Sequence, residues 1–123
     1  MKVLNIMAEP GAGKSASSSG VYNQLAVNGF NVEIVNEVAK AFAWESPKNE
    51  NGESVLHPIF SKNQQIYFLG AQNRGLERVR DYVEIAVLEC PLVLTAIYAP
   101  ENYFKNFIPL VLEQYQDYEN INI

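Results

Sequence analysis

The sequence's clearest chemical signal is Ala8-Glu9-Pro10-Gly11-Ala12-Gly13-Lys14-Ser15. These eight residues fit the Walker A pattern with alanine in place of the first glycine. A loop that grips phosphate must turn successive backbone N–H groups toward one point, in conformations that a Cβ obstructs, and Gly11 and Gly13 permit this. Lys14 brings an ammonium to the β and γ phosphates, and the hydroxyl of Ser15 is the expected magnesium ligand. A helix starting there aims the positive end of its dipole at the same anion. Pro10, Gly11, Ala12, Gly13, Lys14, Ser15 and Ala16 are therefore the expected nucleotide-binding set. Ala8 is tolerable at the first position because alanine is the smallest residue with a Cβ.

A phosphate site of this kind also needs an acid at the end of a neighbouring strand to hold the magnesium shell through water. Glu89 follows the run Val83 to Leu88 and precedes Cys90-Pro91. Aspartate is commoner at such a position, and the extra methylene moves the carboxylate by about 1.5 Å unless the backbone retreats, a shift to which catalytic geometry is sensitive. Glu89 thus signals binding more securely than turnover; its alternative is a structural acid at a strand end. Glu37, in Val35-Asn36-Glu37-Val38-Ala39-Lys40, ends another strand and faces the same crevice if the sheet is parallel. It is the candidate for holding, and deprotonating, an acceptor hydroxyl; its alternative is an acid at a helix start with no further role. Gln64, Gln65, Gln72 and Arg74 lie where side chains could read a base or sugar, and most are expected on a solvated helix face. His57 has no cysteine or histidine partner for a metal. Cys90 reads as a buried, inert thiol. Tyr98, Tyr103, Phe104 and Phe107 read as core or lid residues.

Positioning these groups falls to a βαβ start. Val3 to Met7 reads as a buried strand ending at the Pro-Gly-Ala-Gly cluster. After Gly13, Val21, Tyr22, Leu25 and Ala26 recur at helical spacing up to a glycine stop at Asn28-Gly29, and Val32, Ile34 and Val35 form a second strand. The crossover is expected to be right-handed. Glu37 to Trp44 reads as a short helix and Glu45 to Glu53 as a loop. Ile66, Leu69, Leu76, Val79 and Val83 predict an amphipathic helix from about Ser61 to Arg80. Val83 to Leu88 reads as a third strand stopped by Pro91, which lacks the proton that strand pairing needs. Leu92 to Tyr98 and Glu101 to Tyr118 read as helices, and Asn120 to Ile123 as the opening of a further strand cut short.

Composition narrows the classes. A chain of 123 residues, 48% hydrophobic and 19% charged, is a single folded domain over residues 1–123, neither disordered nor disulfide-built. A net charge of −5 argues against a broad nucleic-acid grip. The single cysteine and the missing signal-peptide pattern fit a reducing cytoplasm, and Glu84, Glu89 and Pro91 interrupt the longest apolar stretch, so no membrane partner is expected.

Ala8 to Ser15, Val32 to Lys40 with Trp44-Glu45, Gln72, and Glu89-Cys90-Pro91-Leu92 together resemble the phage-type P-loop ATPases and nucleotide-kinase-like proteins related to nicotinamide riboside kinase domains. The resemblance covers most of the chain; its first block is common to P-loop proteins, and the other segments point to this family. It implies a three-layer α/β P-loop fold with a parallel, kinase-like sheet, ATP and Mg2+ as cofactors, a nucleoside-like acceptor, catalytic roles for Lys14, Glu37 and Glu89, metal contacts from Ser15 and Glu89, and the host cytoplasm for a phage-encoded member. Members carry Asp-Ser-Pro where Glu89-Cys90-Pro91 stands, and they continue through a fourth strand and an arginine-bearing lid. Arg74, Arg78 and Arg80 all precede that lid's place, so the fold is expected in C-terminally truncated form. The leading reading is an ATP-binding protein of kinase type; the others are a nucleotide-binding interaction module without turnover and a fragment of a longer kinase. Without a fourth strand, Val3 to Met7 becomes an exposed apolar edge, which predicts a twofold dimer.

Overall fold

The computed structural model describes residues 1–7, 13–39, 48–52 and 62–123. Four strands, β1 (Lys2–Asn5), β2 (Val32–Val35), β3 (Ile85–Leu88) and β4 (Glu119–Asn122), form one sheet in the order β2-β3-β1-β4 with every pairing parallel. The register sets Val35, Leu88, Asn5 and Asn122 in one row, so the chain leaves β1, β2 and β3 at the same level and on the same side. That alignment is what brings distant sequence positions to one site.

Helix α1 (Lys14–Val27) packs Val21, Tyr22 and Leu25 against Leu4, Ile6, Val32, Ile34, Ile85 and Val87 on one face of the sheet. It stops where expected: Gly29, at φ +88°, donates its N–H to Ala26 O, and Phe30 N–H reaches Leu25 O. The other face carries α2 (Lys62–Val79), α3 (Val93–Ile97) and α4 (Phe107–Gln116) over a core of Val3, Val35, Leu69, Leu76, Ala86, Leu88, Leu92, Phe107 and Val111. Alternation along β1 serves both layers, Val3 and Asn5 facing one and Leu4 and Ile6 the other. Among the described residues no helix is long and apolar enough to cross a membrane.

Three sequence expectations need correction. The fourth strand is present: Glu119–Asn122 is a strand of four residues, as long as each of the others, and it lies beside β1. Hydrogen bonds from Ile123 N to Asn5 O and from Met7 N to Ile123 O extend the pairing to the end of β1. β1 is therefore an interior strand, and the exposed edge from which a dimer was expected does not exist. The helix expected over Glu101 to Tyr118 begins only at Phe107, because Pro109 has no N–H and belongs in a first turn, where that donor has no intrahelical partner. Residues 101–106 turn instead, with Asn102 at φ +57°. Of the helix expected from Glu37 to Trp44, Val38 and Ala39 are helical and residues 40–47 lie outside the described residues, as does His57; of the loop after it, residues 48–52 are described, and Gly52 N–H closes a turn on Asn49 O.

A strand reading Glu-Asn-Ile-Asn has little apolar surface to hold it, and polar contacts hold it instead. Asn5, fully buried, donates from Nδ2 to Asn120 Oδ1 and Asn122 Oδ1, each at 2.9 Å. Asn120 Nδ2 in turn caps Tyr115 O and Tyr118 O. At the other end of β4, the buried Tyr118 ring carries Arg80 at 4.9 Å from its centroid, and its hydroxyl bonds Glu77 Oε1 and Asn73 Oδ1 on α2. Burial, then Glu77, pushes the Tyr118 hydroxyl well above its usual range, while that hydrogen bond holds the Glu77 carboxyl below its own. Replacing Asn5 by leucine keeps the branching and the number of heavy atoms, in a bulkier side chain, but leaves Asn120 Oδ1 without its donor. We expect a loss of about 1 to 3 kcal/mol in urea unfolding, with faster amide exchange over residues 119–123.

Candidate functional site

The site grows from the beginning of α1. Gly13 stands just before the helix at φ +81° and ψ +27°, a left-handed conformation that a residue with a Cβ adopts only under strain. Lys14 is the first helical residue, and its side chain is turned inward to 8% exposure. Its Nζ donates to Glu37 Oε2 at 2.9 Å. Ser15 is half-buried and Ala16 exposed on the first turn, while Ala8, Glu9, Pro10, Gly11 and Ala12 lie outside the described residues.

Glu37 is two residues beyond β2, and its place is fixed through its backbone. Gln72 of α2, 2% exposed, spends both ends of its amide here: Oε1 accepts Val38 N–H at 3.1 Å and Nε2 donates to Asn36 O at 3.0 Å. From the other side, Glu89 Oε2 accepts the N–H of Glu37 itself at 3.3 Å. Three consecutive residues are thus held by side chains from two other elements. The close approach of α2 depends on Gly75, since a Cβ there would stand 2.7 Å from Val35 Cγ1.

Glu89, one residue beyond β3, is 5% exposed, and its N–H donates to Val35 O. Its Oε1 accepts the hydroxyl of Ser18 at 2.7 Å, so the longer glutamate side chain reaches α1 one turn beyond Ser15. The structure brings together Lys14, Glu37 and Glu89, as the sequence suggested, and adds Ser18 and Gln72, which it did not. Ser18 shares the inward face of α1 with Lys14 and Val21, a spacing of four and three hidden inside the run Ser17-Ser18-Ser19. The expectation that most of Gln64, Gln65, Gln72 and Arg74 are solvated is corrected in part: Gln65 and Gln72 are buried, Gln64 is half-buried and Arg74 is exposed.

Above the Lys14–Glu37 pair, Ala39, Phe68, Cys90, Leu94 and Tyr98 wall a cleft between α2 and α3 with about 40 Å3 of enclosed free space. That is room for a few water molecules, so an organic acceptor of nucleoside size has to part the walls. Burial pushes the Cys90 thiol up to about 11, and nearby Glu37 adds to this against the smaller opposing effect of Lys14, in keeping with an inert thiol. Phe107 belongs to the core, with Tyr103 edge-on to its ring at 4.7 Å, whereas Phe104 is half exposed. Among the described residues no cluster of three or more histidine, cysteine, aspartate or glutamate side chains is placed to hold a metal. The Ser15 hydroxyl and the Glu89 carboxylate are oxygen donors of the kind magnesium takes, and each Glu89 oxygen keeps a lone pair beyond its present hydrogen bond, so the residues fit a water-mediated contact.

Removing the Ser18 hydroxyl should leave a buried carboxylate oxygen without its shortest bond. Ser18→Ala is expected to cost about 1.5 to 3 kcal/mol in chemical unfolding, the scale for a hydrogen bond to a charged group; a loss below about 0.5 kcal/mol would remove Ser18 from the account. No protein-family model matches the chain, and no curated protein sequence matches it.

Proposed function

We infer that this protein binds the polyphosphate of ATP, with magnesium, at the beginning of α1, in the manner of a P-loop kinase. The observation that carries this reading is the inward Lys14 ammonium, on the first residue of the helix that follows β1 and the Walker A residues, bonded to the Glu37 carboxylate beyond β2 while Glu89 beyond β3 accepts the Glu37 N–H. The order β2-β3-β1-β4, with the loop-bearing strand inside the sheet, agrees with it.

In this reading the backbone of residues 10–16 and the helix dipole bind the phosphates, and Lys14 binds and orients the β and γ groups. Ser15 and, through water, Glu89 would hold magnesium, which would supply positive charge to the phosphate oxygens. Glu37 accepts the proton of an acceptor hydroxyl at its free oxygen, Oε1, in the cleft of Phe68, Leu94 and Tyr98. A nucleoside-like alcohol reaches that carboxylate only once the cleft walls part. A second reading, a nucleotide-binding module without turnover, draws on the two Glu89 oxygens already engaged by Ser18 and Glu37 and on Lys14 being the only cation among the described cleft residues.

ATP with magnesium should raise the melting temperature, with about 2.7 kcal/mol of stabilisation at a hundredfold excess over the dissociation constant. Lys14→Ala should weaken that binding by roughly 1.5 to 3 kcal/mol. No melting shift with ATP, ADP or GTP at saturating concentration contradicts the reading, and turnover assayed on the same samples separates kinase from binding module.

A further inference from the structure

We propose that Glu37 is a specificity-determining residue of the phosphate site: it competes with the nucleotide for Lys14 and thereby sets how strongly the site distinguishes di- and triphosphates from a monophosphate. The proposal rests on the ATP-binding reading above. Its own observation is the Lys14–Glu37 bond of 2.9 Å, formed by an ammonium only 8% exposed.

A phosphate that reaches Lys14 must either displace the Glu37 carboxylate or share the ammonium with it. Displacement breaks a short ion pair. Sharing sets two anions side by side where burial leaves little water to screen them. Both routes weaken binding, and neither is escaped by a small drift of Glu37, because Gln72 brackets Asn36 O and Val38 N–H while Glu89 Oε2 takes the Glu37 N–H. Glu89 is itself tied to α1 through Ser18, so the carboxylates of β2 and β3 are locked to the helix that carries Lys14. The penalty falls only on ligands whose phosphates extend as far as Lys14. A monophosphate seated on the N–H groups that open α1, short of the Lys14 ammonium, leaves the pair intact.

Glu37→Gln keeps the shape and removes the competing charge. It should bind ATP about tenfold more tightly than the unmodified protein, the scale of one charge-assisted hydrogen bond, and ADP more tightly as well. AMP affinity should stay within about twofold, so the preference for triphosphate over monophosphate widens. The ligand-free variant should also melt at a lower temperature, since Lys14 loses its counter-charge. Glu37→Asp, which keeps the charge but shortens the reach by one methylene, gives the same changes at smaller size and serves if the glutamine variant does not fold. Titration calorimetry with magnesium present, using ATP, ADP and AMP against all three proteins, reads these effects. A purely structural Glu37 would change the three nucleotides alike. ATP affinity unchanged or lower in both variants overturns the proposal while leaving ATP binding in place; no binding of ATP to any of the three proteins overturns both.

Discussion

A buried ammonium on the first residue of a helix is the constraint around which the rest of this structure is arranged. Lys14 sits at the positive end of the α1 dipole, where a cation is disfavoured, and is largely withdrawn from water, where a charge is costly unless paired. Stability alone gives no reason for a lysine there. The structure compensates with Glu37, and the compensation extends outward: Glu37 is held through its backbone by Gln72 and Glu89, Glu89 by Ser18, and Gln72 by the close contact of α2 with β2 that Gly75 permits. An arrangement that spends this many buried polar bonds on one lysine is intelligible if the lysine has an anion to meet.

That chain of contacts also bears on what the proposed phosphate site would do with a nucleotide. The acids just beyond β2 and β3 follow strands that the register holds level, so the sheet sets where they leave it relative to each other. A rigid base of this kind suits phosphoryl transfer, in which positioning and charge supply most of the catalysis. The same rigidity is compatible with storage of the nucleotide in a binding module, and the engaged oxygens of Glu89 tilt toward that side. The length of Glu89 is used to reach a hydroxyl one turn along α1.

Most of the sheet and the identity of the acids were legible because local signals sufficed. An apolar run closed by a glycine-rich segment, then Val21, Tyr22, Leu25 and Ala26 at helical spacing, specifies strand and helix without reference to anything distant, and a parallel sheet then sends Glu37 and Glu89 to the same side. Most of the features that the sequence concealed depend on pairs far apart in it. β4 has a weak strand pattern, and only its contact with Asn5, 115 residues from Asn120, makes its asparagines assets. Gln65 and Gln72 look like ordinary solvated residues until a strand end supplies the partners of Gln72. The late start of α4 was readable from Pro109, whose missing N–H confines it to a first turn, but the apolar spacing around it concealed the signal.

Backbone amide shifts under titration with ATP and magnesium report where the anion sits as well as whether it binds. The account predicts saturable changes concentrated at Gly13, Lys14, Ser15 and Ala16, where N–H groups meet phosphate, with a second set at Glu37 and Val38 as the carboxylate loses or shares its ammonium. Shifts confined to other surfaces, or an unchanged spectrum at millimolar nucleotide, would contradict it.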